Sequence, residues 1–170
     1  DRADSAISIT PANQYDWDTI FDGAQWLHLS GITPALSRNA AEATLVAAQK
    51  AKAAGCRVSI DLNFRGKLWK WDSSKTVRAL AQETMRGILP FIDVVIANEE
   101  DCHDVLGIRA GETDVHSGAL DTTRYPDVAR QVVAQFPNIS NVAITLRESL
   151  SASHNNWGAM LYDAASDQPF

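Results

Sequence analysis

The sequence predicts an α/β fold, a doubly wound, mostly parallel sheet flanked by helices, spanning residues 1–170 as a single domain. Two patterns predict it: apolar runs of strand length recur along the chain, and segments with helical periodicity separate them. A length of 170 residues with 45% hydrophobic content also leaves room for one buried core.

The elements follow in order. Ser5-Ala6-Ile7-Ser8-Ile9 alternates weakly, as a half-exposed strand does. The first clear strand is Trp26-Leu27-His28-Leu29-Ser30. After Gly31-Ile32-Thr33-Pro34, an Ala-rich helix is expected over about residues 37–54, with Ser37 as N-cap and Gly55 as its stop. Arg57-Val58-Ser59-Ile60-Asp61-Leu62 suits a buried strand, and residues 63–73 form a loop that carries Asn63, Arg65, Trp69 and Trp71. A helix over about 74–89 precedes a buried strand over 91–97, and Asn98-Glu99-Glu100-Asp101 opens a short helix ending near Gly107. Residues 108–121 lack periodicity and read as a surface excursion. A helix over 126–136 leads to a strand over 141–145. A last strand over 158–162 is expected to run antiparallel to it, because the intervening segment is too short for a crossover helix.

Composition narrows the function. Fifteen Lys plus Arg against 21 Asp plus Glu give a net charge of -6 without a basic cluster, which argues against nucleic-acid binding. No apolar stretch is long enough to span a bilayer, and the opening Asp1-Arg2-Ala3-Asp4 has no signal-peptide character. The absence of an initiator Met suggests that the chain starts downstream of its gene's start. Cys56 and Cys102 are far apart and outside any metal spacing, so they read as reduced cytosolic thiols in buried positions. His28, His103, His116 and His154 are scattered, without metal-ligand spacing. The fingerprints GxGxxG, GxxxxGK[ST] and GxSxG do not occur.

In doubly wound sheets, ligands bind beyond the carboxyl ends of the strands. That rule selects Ser30 and Gly31, residues 63–65, residues 98–101 and residues 145–147. Arg65 projects from the sheet edge, where it suits bidentate binding of a carboxylate or phosphate, or else a salt bridge to a neighbouring helix. Asp61 can orient Arg65 or cap the loop. The carboxylates of residues 99–101 can hold a hydrated Mg2+ beside a nucleotide, or simply complement the helix dipole. Thr145 and Arg147 can meet phosphates or form an ordinary turn. Trp69 and Trp71 can stack on a sugar ring or clamp the loop to the core.

At four segments the sequence resembles the ribokinase-like (PfkB) family of carbohydrate kinases, and within it the 2-keto-3-deoxygluconate kinases. They are residues 1–6, residues 27–36, Asp61-Leu62-Asn63-Phe64-Arg65 with Leu68-Trp69, and Asn98-Glu99-Glu100-Asp101, in the family's order. The resemblance implies ATP as phosphoryl donor, Mg2+, and a small-molecule sugar acid as acceptor, most closely 2-keto-3-deoxygluconate, in a cytoplasmic enzyme. It implies substrate contacts at Arg2, Ser30, Gly31, Asn63 and Arg65, with Arg65 on the sugar-acid carboxylate. It makes about residues 1–10 a strand segment of a substrate lid and residues 11–170 the central core. The family's N-x-x-E motif falls on Asn98 and Asp101, which implies nucleotide contact at Asn98 and metal contact at Asp101, here one methylene shorter than Glu. Thr145 and Arg147 fall at the strand end that meets ATP phosphates, although the family more often has Gly in place of Arg147.

The family's di-glycine sugar motif and its G-A-G-D segment, whose Asp is the general base, have no counterpart in residues 1–170. The resemblance places them before Asp1 and beyond Phe170, so the chain reads as a central piece that is inactive alone. Homo-oligomerisation through the lid is a further implication. The alternatives are a fructokinase-type enzyme acting on a neutral ketose, and a non-catalytic ribokinase-like ligand-binding module.

Overall fold

The computed structural model describes residues 4–108, 125–149 and 155–170. Strands β1 (Trp26–Ser30), β2 (Arg57–Asp61), β3 (Val94–Ala97) and β4 (Asn141–Ser149) pair in parallel in that order. Strand β5 (Asn155–Asp163) returns antiparallel along β4, and the short β6 (Gln168–Pro169) along β5. The mostly parallel sheet flanked by helices is as predicted, and β5 runs in the predicted direction; the reversal of strand order that marks a doubly wound sheet does not occur among the described strands.

The helices are α1 (Ala6–Ile9), α2 (Trp17–Phe21), α3 (Ile32–Leu36), α4 (Arg38–Ala53), α5 (Val77–Ile88), α6 (Glu99–Asp101) and α7 (Tyr125–Gln135). Strand order follows chain order without reversal, so right-handed crossovers place α4, α5 and α7 on one face. Burial agrees. Val58, Ile60, Val95, Ala97, Val142 and Ile144 are almost wholly buried, whereas the alternating residues Trp26, His28 and Arg57 are exposed. Small side chains let α4 approach the sheet: it buries Ala40, Ala43, Ala47, Ala48 and Ala51. Helix α5 packs through Leu80, Ala81, Met85 and Ile88.

The caps act as the sequence suggests. Ser37 Oγ accepts the Ala40 N–H at 3.0 Å, and Gly55 takes φ +82° after α4. Thr76 caps α5, which starts at Val77 rather than near 74. The strand expected over 91–97 starts at Val94, because Leu89–Phe91 forms a 3-10 turn around Pro90, whose ring supplies no ladder N–H.

Two local expectations are corrected. Residues 5–9 are not a strand: Ala6–Ile9 is one helical turn. Its partners come from the start of α4, where Ser37 Oγ donates to Ser8 O at 2.6 Å and Asn39 Nδ2 to Ile9 O at 3.0 Å. Tertiary contacts override an alternation only five residues long. The strands expected over 141–145 and 158–162 are each nine residues long, paired from Asn141↔Asp163 to Ser149↔Asn155. The ladder pairs residues beyond the expected strands, an extension that the short hydrophobic runs do not mark. Most of the expected surface excursion, residues 109–121, lies outside the described residues.

Candidate functional site

Parallel register lines up the carboxyl ends of the first four strands. Ser30 lies opposite Asp61, Asp61 opposite Ile96, and Ala97 opposite Ile144. The residues that follow, Gly31, Leu62, Asn98 and Thr145, therefore share one edge. Of the residues expected here, Arg2 and the Arg147 side chain lie outside the described structure. The structure brings Ser30, Gly31, Asn63, Arg65, Asn98, Asp101 and Thr145 to this edge.

Gly31 sits where only a glycine fits. Its N–H donates to Asp61 O at 2.8 Å, and a Cβ would overlap the Leu62 carbonyl oxygen and lie 2.9 Å from the Leu62 carbonyl carbon. The Leu62 N–H donates to Ile96 O at 2.9 Å, so the exit from β2 is held from both sides. Ser30 Oγ accepts the Ile32 N–H at 3.3 Å and starts the turn into α3.

The chain then turns sharply. Asn63 has φ +38°, a left-handed conformation that is uncommon for a residue with a side chain and tolerated best by Asn and Asp. Asp61 Oδ1 accepts the Asn63 N–H at 3.2 Å, so Asp61 caps the turn. Arg65 is exposed; its Nη1 donates to Phe64 O at 2.9 Å, and no salt bridge to it occurs among the described residues. Its guanidinium has donors left for an anion.

The opposite wall starts at Asn98, whose Oδ1 accepts the Asp101 N–H at 2.7 Å and caps α6. Asp101 is only 6% exposed, and its Oδ1 accepts the Phe64 N–H at 3.0 Å. Burial pushes its carboxyl above the usual range, as does the charge of Asp61, while the N–H groups of Phe64 and Asn98 and the charge of Arg65 act the other way. Helix α6 runs on as a π turn over Cys102–Leu106, which Gly107 closes at φ +73°. Thr145 is exposed and donates from Oγ1 to Ala97 O at 3.3 Å.

Residues with two readings resolve here. Trp71 Nε1 donates to Pro34 O at 3.1 Å under the Arg38 guanidinium, and Trp69 is 2% exposed, so both clamp the loop to the core. Cys56 and Cys102 are free and buried, as expected, and burial pushes the Cys102 thiol up to about 12, which favours its neutral form. His28 Nδ1 lies 2.9 Å from Ser59 Oγ on the sheet face away from the helices, and His103 lies against Asp104; His116 and His154 are outside the described residues. No group of three or more His, Cys, Asp or Glu among the described residues is arranged to hold a metal.

Sequence reasoning missed the Asp101 contact to Phe64, which joins residues far apart in the chain. It also missed the steric role of Gly31, although a glycine directly after a buried strand is a signal of close backbone approach.

No protein-family model matches the chain. Known proteins do. A stretch of 106 residues, 62% of the chain, is 36% identical to a 2-dehydro-3-deoxygalactonokinase of Haloferax volcanii and covers 31% of it. The crystal structure of 2-dehydro-3-deoxygluconokinase from Thermotoga maritima superposes with a TM-score of 0.81 at 38% identity, over 97% of this chain and 45% of that one. A PfkB family carbohydrate kinase from Listeria grayi superposes with a TM-score of 0.69 at 28% identity, over 88% of this chain and 41% of that one. The chain thus spans less than half the length of these relatives. Along that length its structural neighbours are PfkB-family carbohydrate kinases, 2-keto-3-deoxygluconate kinases among them, and it shares their fold.

Proposed function

We propose that the protein carrying this chain is an ATP-dependent kinase of sugar acids, with 2-keto-3-deoxygluconate as the foremost candidate acceptor. One observation carries the reading: Arg65 stands exposed at the carboxyl edge of the sheet, in no salt bridge among the described residues, on a loop fixed from both sides. A guanidinium so placed offers two parallel N–H donors to a planar carboxylate. The relatives named for the phosphorylation of deoxy sugar acids support this choice of acceptor.

In this reading the chain's residues bind and orient. Arg65 holds the acid group of the sugar, with Arg2 as a second contact. Ser30, Gly31 and Asn63 shape the floor beneath the sugar hydroxyls, and Gly31 leaves room for close backbone packing. Asn98, Thr145 and Arg147 face the phosphates of ATP. Holding donor and acceptor at one edge supplies positioning, the larger part of phosphoryl-transfer catalysis. Mg2+ neutralises phosphate charge and would arrive with the nucleotide, because the described residues build no cage for it. The proton-abstracting Asp of the resembling kinases has no match in residues 1–170, so no proton transfer is assigned to these residues.

The test compares Arg65→Ala with the unaltered protein on 2-keto-3-deoxygluconate and on fructose. Loss of a charged, bidentate contact raises KM for the acid sugar by about a hundredfold, on a cost of roughly 3 kcal/mol, and leaves fructose nearly unaffected. Equal losses on both sugars would refute the carboxylate role, and activity on fructose alone would replace the sugar-acid reading with a ketose kinase.

A further inference from the structure

Resting on that reading of the edge, we infer that Asp101 is a positioning residue that fixes the backbone beside Arg65, and that it holds no metal ion. Four observations converge on it. Asp101 Oδ1 accepts the Phe64 N–H at 3.0 Å, which links the turn after β3 to the loop after β2 across 37 residues of sequence. Its own N–H is tied to Asn98 Oδ1 at 2.7 Å, so the side chain leaves the first turn of α6 in a fixed direction. The next group along the loop is Arg65, whose Nη1 donates to Phe64 O at 2.9 Å. Phe64 is therefore held at both of its backbone polar groups, one by Asp101 and one by the arginine that is to be aimed.

The fourth observation is burial. At 6% exposure Asp101 is a buried residue, and its Oδ1 is engaged by a backbone N–H. Mg2+ sheds its waters reluctantly and meets protein carboxylates from a wet, open side, usually through one or two of them. Asp101 is turned instead toward a backbone donor. Glu at this position would carry the oxygen one methylene past the Phe64 N–H, so the shorter side chain suits the anchor.

Three variants in the intact protein separate an anchor from a metal ligand, each read in three ways: hydrogen exchange at the Phe64 amide, KM for the sugar acid, and the Mg2+ concentration for half-maximal rate. Asp101→Asn keeps an acceptor oxygen, so exchange and KM stay within about threefold of the unaltered protein. Asp101→Ala removes it, and both Phe64 exchange and KM rise by about tenfold or more. The Mg2+ requirement stays unchanged in both. If alanine prevents folding, Asp101→Glu carries the same expectation of faster Phe64 exchange without a change in Mg2+ requirement.

The inference is overturned if Asp101→Asn raises the Mg2+ requirement about tenfold while Phe64 stays protected, which would reveal a metal ligand. It is equally overturned if a folded Asp101→Ala leaves Phe64 exchange unchanged. If the unaltered protein phosphorylates no sugar acid, the kinase reading fails, and the exchange comparison still decides whether Asp101 anchors the loop.

Discussion

Replacing Gly31 with alanine perturbs a single methyl at the junction of β1 and β2. The obstacle is backbone: the added Cβ would fall on the Leu62 carbonyl oxygen, with the Leu62 carbon at 2.9 Å and Asp61 O at 3.4 Å. No rotamer change can relieve it, so the strand ends must separate. Separation strains the bond from Gly31 N–H to Asp61 O, now 2.8 Å, and pulls on Leu62, which is 1% exposed and tied to Ile96 O at 2.9 Å. Overpacking of this kind costs about 1–3 kcal/mol and the loss of a backbone hydrogen bond about 1 more. Gly31→Ala is therefore expected to destabilise by about 2–4 kcal/mol in urea unfolding.

Because the displaced residue lies three positions before Arg65, affinity for an acid sugar falls as well. Gly87→Ala is the matched control. Gly87 lies within α5, where an added methyl would meet nothing within 4 Å, so the substitution gains up to about 1 kcal/mol from helix propensity alone. A Gly31→Ala protein within about 0.5 kcal/mol of the unaltered one would refute the claim that this glycine is required by backbone approach.

Two further outcomes follow from local geometry. Asn63, at φ +38°, tolerates Asn63→Gly with unchanged or slightly higher stability, whereas Asn63→Ala loses about 1 kcal/mol; equal stabilities in chemical denaturation would show that the turn is not strained. Asp167 has its carboxyl held below the usual range, first by Arg130 at 2.7 Å and then by the Tyr162 hydroxyl at 2.7 Å. Its contribution is thus present above the ordinary carboxylate pKa and is lost as pH falls through the lower folded value. Asp167→Asn should flatten the acid limb of a stability-versus-pH curve, and an unaltered limb would deny the linkage.

Much of the fold was legible because its determinants are local. Val58, Ile60, Val95 and Ile144 belong to short apolar runs that read as buried strands, and Ser37 and Gly55 bracket α4 by cap chemistry that acts within one turn. Arg65 could be placed at the sheet edge by counting from the strand end. Residues 6–9 could not be placed, because their helical turn draws its partners from Ser37 and Asn39, some thirty positions away along the chain. The hairpin of β4 and β5 outran its hydrophobic signal, since backbone pairing continues past the apolar runs.

The sequence by itself determined the order of strands and helices, the parallel sheet, and the row of polar residues at its carboxyl edge. These follow from periodicity and from strand direction, which short windows encode. Only the tertiary structure decided what each polar residue does within that row. Asp61 and Asp101 are both carboxylates just past or within a strand end, yet one caps a turn two residues on and the other reaches across to Phe64. A side chain's partner is set by which backbone groups the crossovers bring within about 3 Å of it, and that distance is a property of the assembled sheet rather than of any segment.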